Sequence, residues 1–179
     1  MPPKKGADGA LAAPKTRIAS LFIALNSLSA ALLAIAAVFG PLVQHREGLF
    51  WFHLTFGLAA AVLGLFSLVS AMFYLVVTGM GLRDAVVTNK LPVELFERTR
   101  KFKSGLFPWC VAAIAVLIGM TVLGGGVHAR KIHKYYHLAF SAVTLVVYLG
   151  AIRSMKKYYA LNGALIAETL AAIEAKKAD

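Results

Sequence analysis

The sequence predicts an all-α integral membrane protein, a four-helix transmembrane bundle made of two parallel-repeat helical hairpins with amphipathic cytoplasmic helices. Three observations lead to that class. Hydrophobic residues make up 59% of the 179 positions and the mean hydropathy is +0.73, whereas soluble domains are about 45–50% apolar. Four apolar stretches approach or exceed the roughly 20 helical residues that cross a bilayer core about 30 Å thick. The second and fourth of these stretches repeat each other at a fixed offset.

In chain order, residues 1–17 (MPPKKGADGALAAPKTR) are basic and rich in Pro, Gly and Ala, which predicts a disordered tail. The apolar run behind it is too long for a secretory h-region of about 7–15 residues, so an uncleaved first span is expected. A membrane domain over 18–160 then carries spans at about 18–43, 49–78, 105–127 and 136–152. Arg153 closes the fourth span early, and a side chain of that length can snorkel from a helix end to the interface. Between spans two and three, Glu94 precedes Arg98 and Glu97 precedes Lys101 by one helical turn, with Pro92 suited to a first turn. Over 161–179 an amphipathic helix is expected, with Leu161, Leu165, Ile166, Leu170 and Ile173 as its apolar stripe, packed on its own bundle, on the membrane surface or on a partner helix.

Charge gives the orientation. The net charge of +11 does not read as a nucleic-acid footprint, because the basic residues cap the apolar runs, where anionic lipid headgroups account for them. Of 19 lysines and arginines, only Arg46, Arg130, Lys131 and Lys134 fall on the side opposite the termini. The positive-inside rule then places both termini and the central loop in the cytoplasm or its organellar equivalent, in a bacterial or organelle inner membrane. Trp51 and Trp109 fall at opposite interfaces. Cys110, the single cysteine, allows no intrachain disulfide.

The stretches GLFWFHLTFG and HKYYHLAFSA carry the most information. Sliding the second span onto the fourth by 84 positions superposes His53 on His137, Leu54 on Leu138, Phe56 on Phe140, Ser70 on Ser154, Tyr74 on Tyr158 and Gly79 on Gly163. The preceding loops also correspond: His45 stands eight places before His53, and His128 nine before His137. Each copy crosses the membrane twice, so both enter from one side, as a parallel repeat about an axis along the membrane normal. Such an axis puts His53 and His137 at equal depth, near the outer face.

An ionisable residue within a span is a functional candidate by default. Two neutral imidazoles facing each other suit axial ligation of haem b, with Phe56 and Phe140 one turn away to flank the ring and small residues nearby (Ala59, Ala60, Ala61, Gly64, Ser141, Ala142) to make room. In architecture the pattern resembles the membrane-embedded bis-histidine b-type cytochromes, without a diagnostic motif that would assign a family. An alternative metal site draws on His45 and His128 as well, although these lack the fixed spacing that metal-binding histidines favour.

No Asp or Glu lies within the spans, which argues against proton pumping or cation coupling through a buried carboxylate, and no metalloprotease HExxH, P-loop or Gly-x-Ser-x-Gly is present. Two functions follow. One is a b-type cytochrome-like subunit carrying electrons near the outer face, exchanging them with a quinone or a partner protein. The other is an accessory or assembly subunit of a larger membrane complex, or a homodimer, with no cofactor. Either is an electron-transfer or accessory role rather than a stand-alone enzyme.

Overall fold

A computed structural model describes residues 17–43, 46 and 48–178. The expected tail lies outside them apart from Arg17, which opens the first helix. Four helices follow: α1 (Arg17–Leu42), α2 (Gly48–Thr88), α3 (Glu94–His128) and α4 (Lys134–Ala178). All four are long and apolar enough to cross a membrane.

Each helix buries one stripe. On α3 the stripe is Leu95, Thr99, Phe102, Leu106, Cys110, Ala113, Leu117 and Met120, in steps of three and four that keep one face toward the neighbouring helices. The outward faces are as apolar as the core: Phe66, Phe73 and Val146 are each more than 60% exposed. In water such a surface would drive aggregation, whereas lipid would solvate it. Around the bundle, α1 packs on α2, α2 on α3, α3 on α4 and α4 on α1, while α2 and α4 also touch across the middle and α1 and α3 do not. The α1–α2 and α3–α4 connections share one end of the bundle, and the α2–α3 turn lies at the other.

No break separates the expected spans from the expected amphipathic segments. The 41 residues of α2, 35 of α3 and 45 of α4 correspond to roughly 62, 52 and 68 Å at 1.5 Å per residue. A bilayer core of about 30 Å leaves much of that length outside it. α3 continues without a break past Pro108; the carbonyl freed by a proline is tolerated where neighbouring helices pack around it. In the extension α4 packs on its own bundle, with Leu165 fully buried and Leu161 and Leu170 left exposed. Arg98 does not pair with Glu94. It reaches Glu168 on α4 at 2.6 Å, while Lys176 Nζ donates to the Asn89 carbonyl at 2.9 Å.

Both α2 and α3 end in the same hydrogen-bonded cap. Leu91 N donates to the Val86 carbonyl and Lys90 N to Val87; Lys131 N donates to Gly126 and Arg130 N to Val127. Lys90 (φ 50°) and Arg130 (φ 56°) therefore occupy the left-handed position where glycine is usual.

Contacts between residues 84 apart recur along the α2–α4 seam. The rings of His53 and His137 approach at one end. Further along, Tyr148 Oη lies 2.9 Å from where a Cβ on Gly64 would stand. Near the other end Asn162 Nδ2 donates to Thr78 Oγ1 at 3.2 Å.

Candidate functional site

The connections at one end bring together the residues that the repeated stretches single out. His53 sits in the second turn of α2 and His137 in the first turn of α4. Their ring centroids are 6.0 Å apart and their planes 88° to one another.

Each imidazole is seated on the other helix of its own hairpin. A Cβ on Gly40 of α1 would lie 3.4 Å from His53 Cε1, and one on Gly124 of α3 would lie 3.1 Å from His137 Cε1. Gly40 and Gly124 are also 84 apart, so glycine stands at the same place in both hairpins; a Cβ would crowd the ring at Gly124 and meet it at ordinary contact distance at Gly40. The backbone partners correspond as well. His53 Nδ1 is 2.8 Å from the Ala36 carbonyl; a carbonyl only accepts, so Nδ1 carries the proton and Nε2 the lone pair. His137 faces the backbone of Met120, 84 positions after Ala36. That contact falls outside hydrogen-bond geometry, and His137 Nδ1 is buried without a partner.

Beside the two rings lies a cavity of about 1030 Å³, at the upper end of ligand-site sizes. Its walls are mainly small or aliphatic, including Ala36, Ala37, Gly57, Gly125 and Ser141, and its mouth carries His128, Arg130, Lys134 and Tyr135. The small residues expected to make room are only partly the ones that do. Ser141 lines the cavity, but Ala60, Ala61 and Gly64 are buried in the bundle core, and the other small lining residues come mostly from α1 and α3, as Ala36, Ala37, Gly40, Gly124 and Gly125. Phe56 and Phe140 are not among the lining residues: Phe56 stacks on Phe39 and Phe52, and Phe140 lies against Gly119.

A metal cluster of four histidines receives no support. His128 stacks on Phe50 with centroids 5.1 Å apart, His45 lies outside the described residues, and no group of three or more His, Cys, Asp or Glu side chains comes together among the described residues. The spacing of the two imidazoles can be set against that of two ligands on one metal ion. Imidazole nitrogens about 2.0–2.1 Å from a metal, on opposite sides of it, put the ring centroids roughly 6.3 Å apart, close to the spacing seen. The Nδ1 bond to the Ala36 carbonyl is of the kind that orients metal-ligating histidines in general, and it leaves Nε2 unused.

A second polar group, not anticipated from sequence, sits in the apolar middle. Asn26 Oδ1 accepts from Ser67 Oγ at 3.0 Å and from Tyr148 Oη at 2.9 Å, Asn26 Nδ2 donates to the Phe22 carbonyl, and Ser29 Oγ donates to the Ala60 carbonyl. All four side chains are buried. They tie α1, α2 and α4 together by hydrogen bonds that no lipid competes for. Asparagine inside an apolar span was the sequence signal that could have found them.

Compared with known proteins, the chain matches no protein family, no curated protein and no solved structure.

Proposed function

We propose that this chain is a membrane-embedded b-type cytochrome-like subunit in which His53 and His137 are the two axial ligands of one haem b, close to the outer face of the bilayer. The observation that carries the reading is the pair of imidazoles from facing helices at the spacing of ligands to a single metal, beside a large cavity. The contacts at an offset of 84 support the arrangement behind it: two hairpins inserted in parallel, related by an axis that runs between α2 and α4. Residues related by a two-fold axis can meet only on that axis, and three such pairs meet along the seam.

When bound, haem supplies a one-electron couple whose potential depends on ligands, hydrogen bonds and burial. The chain's own groups do the rest. Ala36 fixes the His53 tautomer, Gly40 and Gly124 let the rings sit flush on α1 and α3, and the apolar walls limit water. A histidine pair at one end supports electron exchange on that side, with a quinone in the membrane or a partner protein, rather than across the bilayer. The basic residues around the α2–α3 turn and the termini support insertion with that end cytoplasmic.

The test is an optical spectrum of the full chain purified in neutral detergent from haem-replete cells. A low-spin spectrum that is lost in His53→Ala and in His137→Ala, but kept in His128→Ala, is expected. A colourless protein would leave the accessory-subunit reading in its place.

A further inference from the structure

We propose that Lys103 and Arg83 hold the phosphate of one anionic phospholipid against the seam between α2 and α3, at the membrane boundary opposite the histidine end. This site is independent of any haem between His53 and His137.

A seat for Lys103 is built into α2. Lys103 is half-buried, and its tail lies on the backbone at Gly79, where a Cβ would stand 3.1 Å from Nζ and 3.2 Å from Cε. Glycine is unfavourable inside a helix, and here the room it leaves is taken by an ammonium group. That ammonium makes no hydrogen bond or ion pair among the described residues. A cation drawn out of water needs acceptors, and those residues supply none.

A second cation comes out beside it. Gly79 and Thr99 face each other across the seam, with Thr99 Cβ 3.7 Å from the place of a Gly79 Cβ. Arg83 follows Gly79 by four places, and Lys103 follows Thr99 by four. In antiparallel helices of the same hand, equal advances from a contact pair emerge on the same side of the seam. Side chains tilt toward the N-terminus of their own helix, so Arg83 and Lys103 lean toward one level from opposite directions. Arg100, one turn from Lys103, adds a third positive charge. Arg83 and Arg100 are exposed, and neither they nor the nearby carboxylates of Asp84 and Glu97 form an ion pair among the described residues.

Unbalanced cations beside an apolar surface match a phosphate with acyl chains. Val69 and Phe73 on α2 and Val111 on α3, further along the same side of the seam, are each more than half exposed. A soluble phosphate ester has no use for them, whereas a lipid places its head on the cations and a chain on this strip. Ala19 stands 84 positions before Lys103, so the repeat does not duplicate the group and one lipid per chain is expected.

The test is native mass spectrometry of the full-length protein in neutral detergent with equal amounts of phosphatidylglycerol and phosphatidylcholine. One phosphatidylglycerol should be held about tenfold more tightly than phosphatidylcholine, the scale of one charge-assisted contact. Lys103→Gln and Arg83→Gln should each remove most of that preference, and Gly79→Ala, which keeps every charge but crowds Nζ, should lower it by less. Lys101→Gln removes an equal charge from another face of α3 and should leave the preference intact. Equal binding of the two lipids by the unaltered chain overturns the site. An equal loss in Lys101→Gln also overturns it, because the preference then belongs to diffuse charge. Displacement of the lipid by an equal concentration of glycerol 3-phosphate overturns the lipid in favour of a soluble phosphate ester.

Discussion

The two hairpins agree at one end and differ in the middle. At the histidine end, α1–α2 and α3–α4 use the same parts in the same places: glycine, histidine and a backbone carbonyl side. Halfway along, positions 84 apart hold different residues. Asn26, Ser29 and Ser67 in the first hairpin correspond to Cys110, Ala113 and Ala151 in the second, and all six are buried. Gly64 corresponds to Tyr148, whose hydroxyl crosses into the space beside Gly64 and donates to Asn26.

The difference has a physical reason. Two tyrosines meeting on an axis would collide and two glycines would leave a void, so a large residue against a small one fills the seam. A ligand held symmetrically needs matched donors, whereas a unique packing of two similar hairpins is set by an unmatched lock. On the haem proposal the equal end is the ligand site, and the unequal middle specifies how the hairpins dock.

The sharpest way to break this division is at the histidines. His53→Ala and His137→Ala should each abolish low-spin haem binding, read from the optical spectrum, with helix content by circular dichroism unchanged. Next in size is the lock. Asn26→Ala leaves the Tyr148 hydroxyl without its acceptor and Ser67 with only the Gly64 carbonyl at 3.2 Å, and should destabilise the bundle by about 1–3 kcal/mol in detergent unfolding. Gly64→Ala places a Cβ 2.8–2.9 Å from Leu117 Cδ2, Ser29 Oγ and Tyr148 Oη, an overpacking that costs about 1–3 kcal/mol. Adding Tyr148→Phe should recover part of that loss, because one of the three close atoms is gone; strict additivity of the two changes would contradict the lock.

Smaller effects separate the two glycine seats. Gly124→Ala meets its imidazole at 3.1 Å and Gly40→Ala at 3.4 Å, so the first should shift the haem absorption more than the second. Least of all should come from Arg98→Ala. Its pair with Glu168 is about half exposed on both sides, and such pairs contribute about 0–1 kcal/mol and weaken with salt.

Much of this was legible in the sequence. Four apolar runs of bilayer length gave the four helices, and His53, His137 and their shared offset identified the residues that meet. What stayed hidden depends on helices being read together. Gly40 and Gly124 correspond only when the offset of 84 is carried to α1 and α3, where no shared histidine or tyrosine marks it. Phe56 and Phe140 share the repeat but lie off the cavity, because a period marks which residues correspond and not which way a wall opens. The complement of Gly64 and Tyr148 is invisible to any search for likeness, since it works by difference. The continuity of α2, α3 and α4 beyond the spans was masked by charge: Arg83, Lys103 and Arg153 bound the apolar runs without bounding a helix.

The most direct measurement is electron paramagnetic resonance of the ferric full-length protein, alongside its haem content per chain. One haem per chain is expected, low-spin, with the strongly anisotropic signal of two imidazole planes that are nearly perpendicular, as the 88° angle requires. A purely high-spin signal, or protein from haem-replete cells that carries no porphyrin, would contradict the assignment of His53 and His137 to one iron.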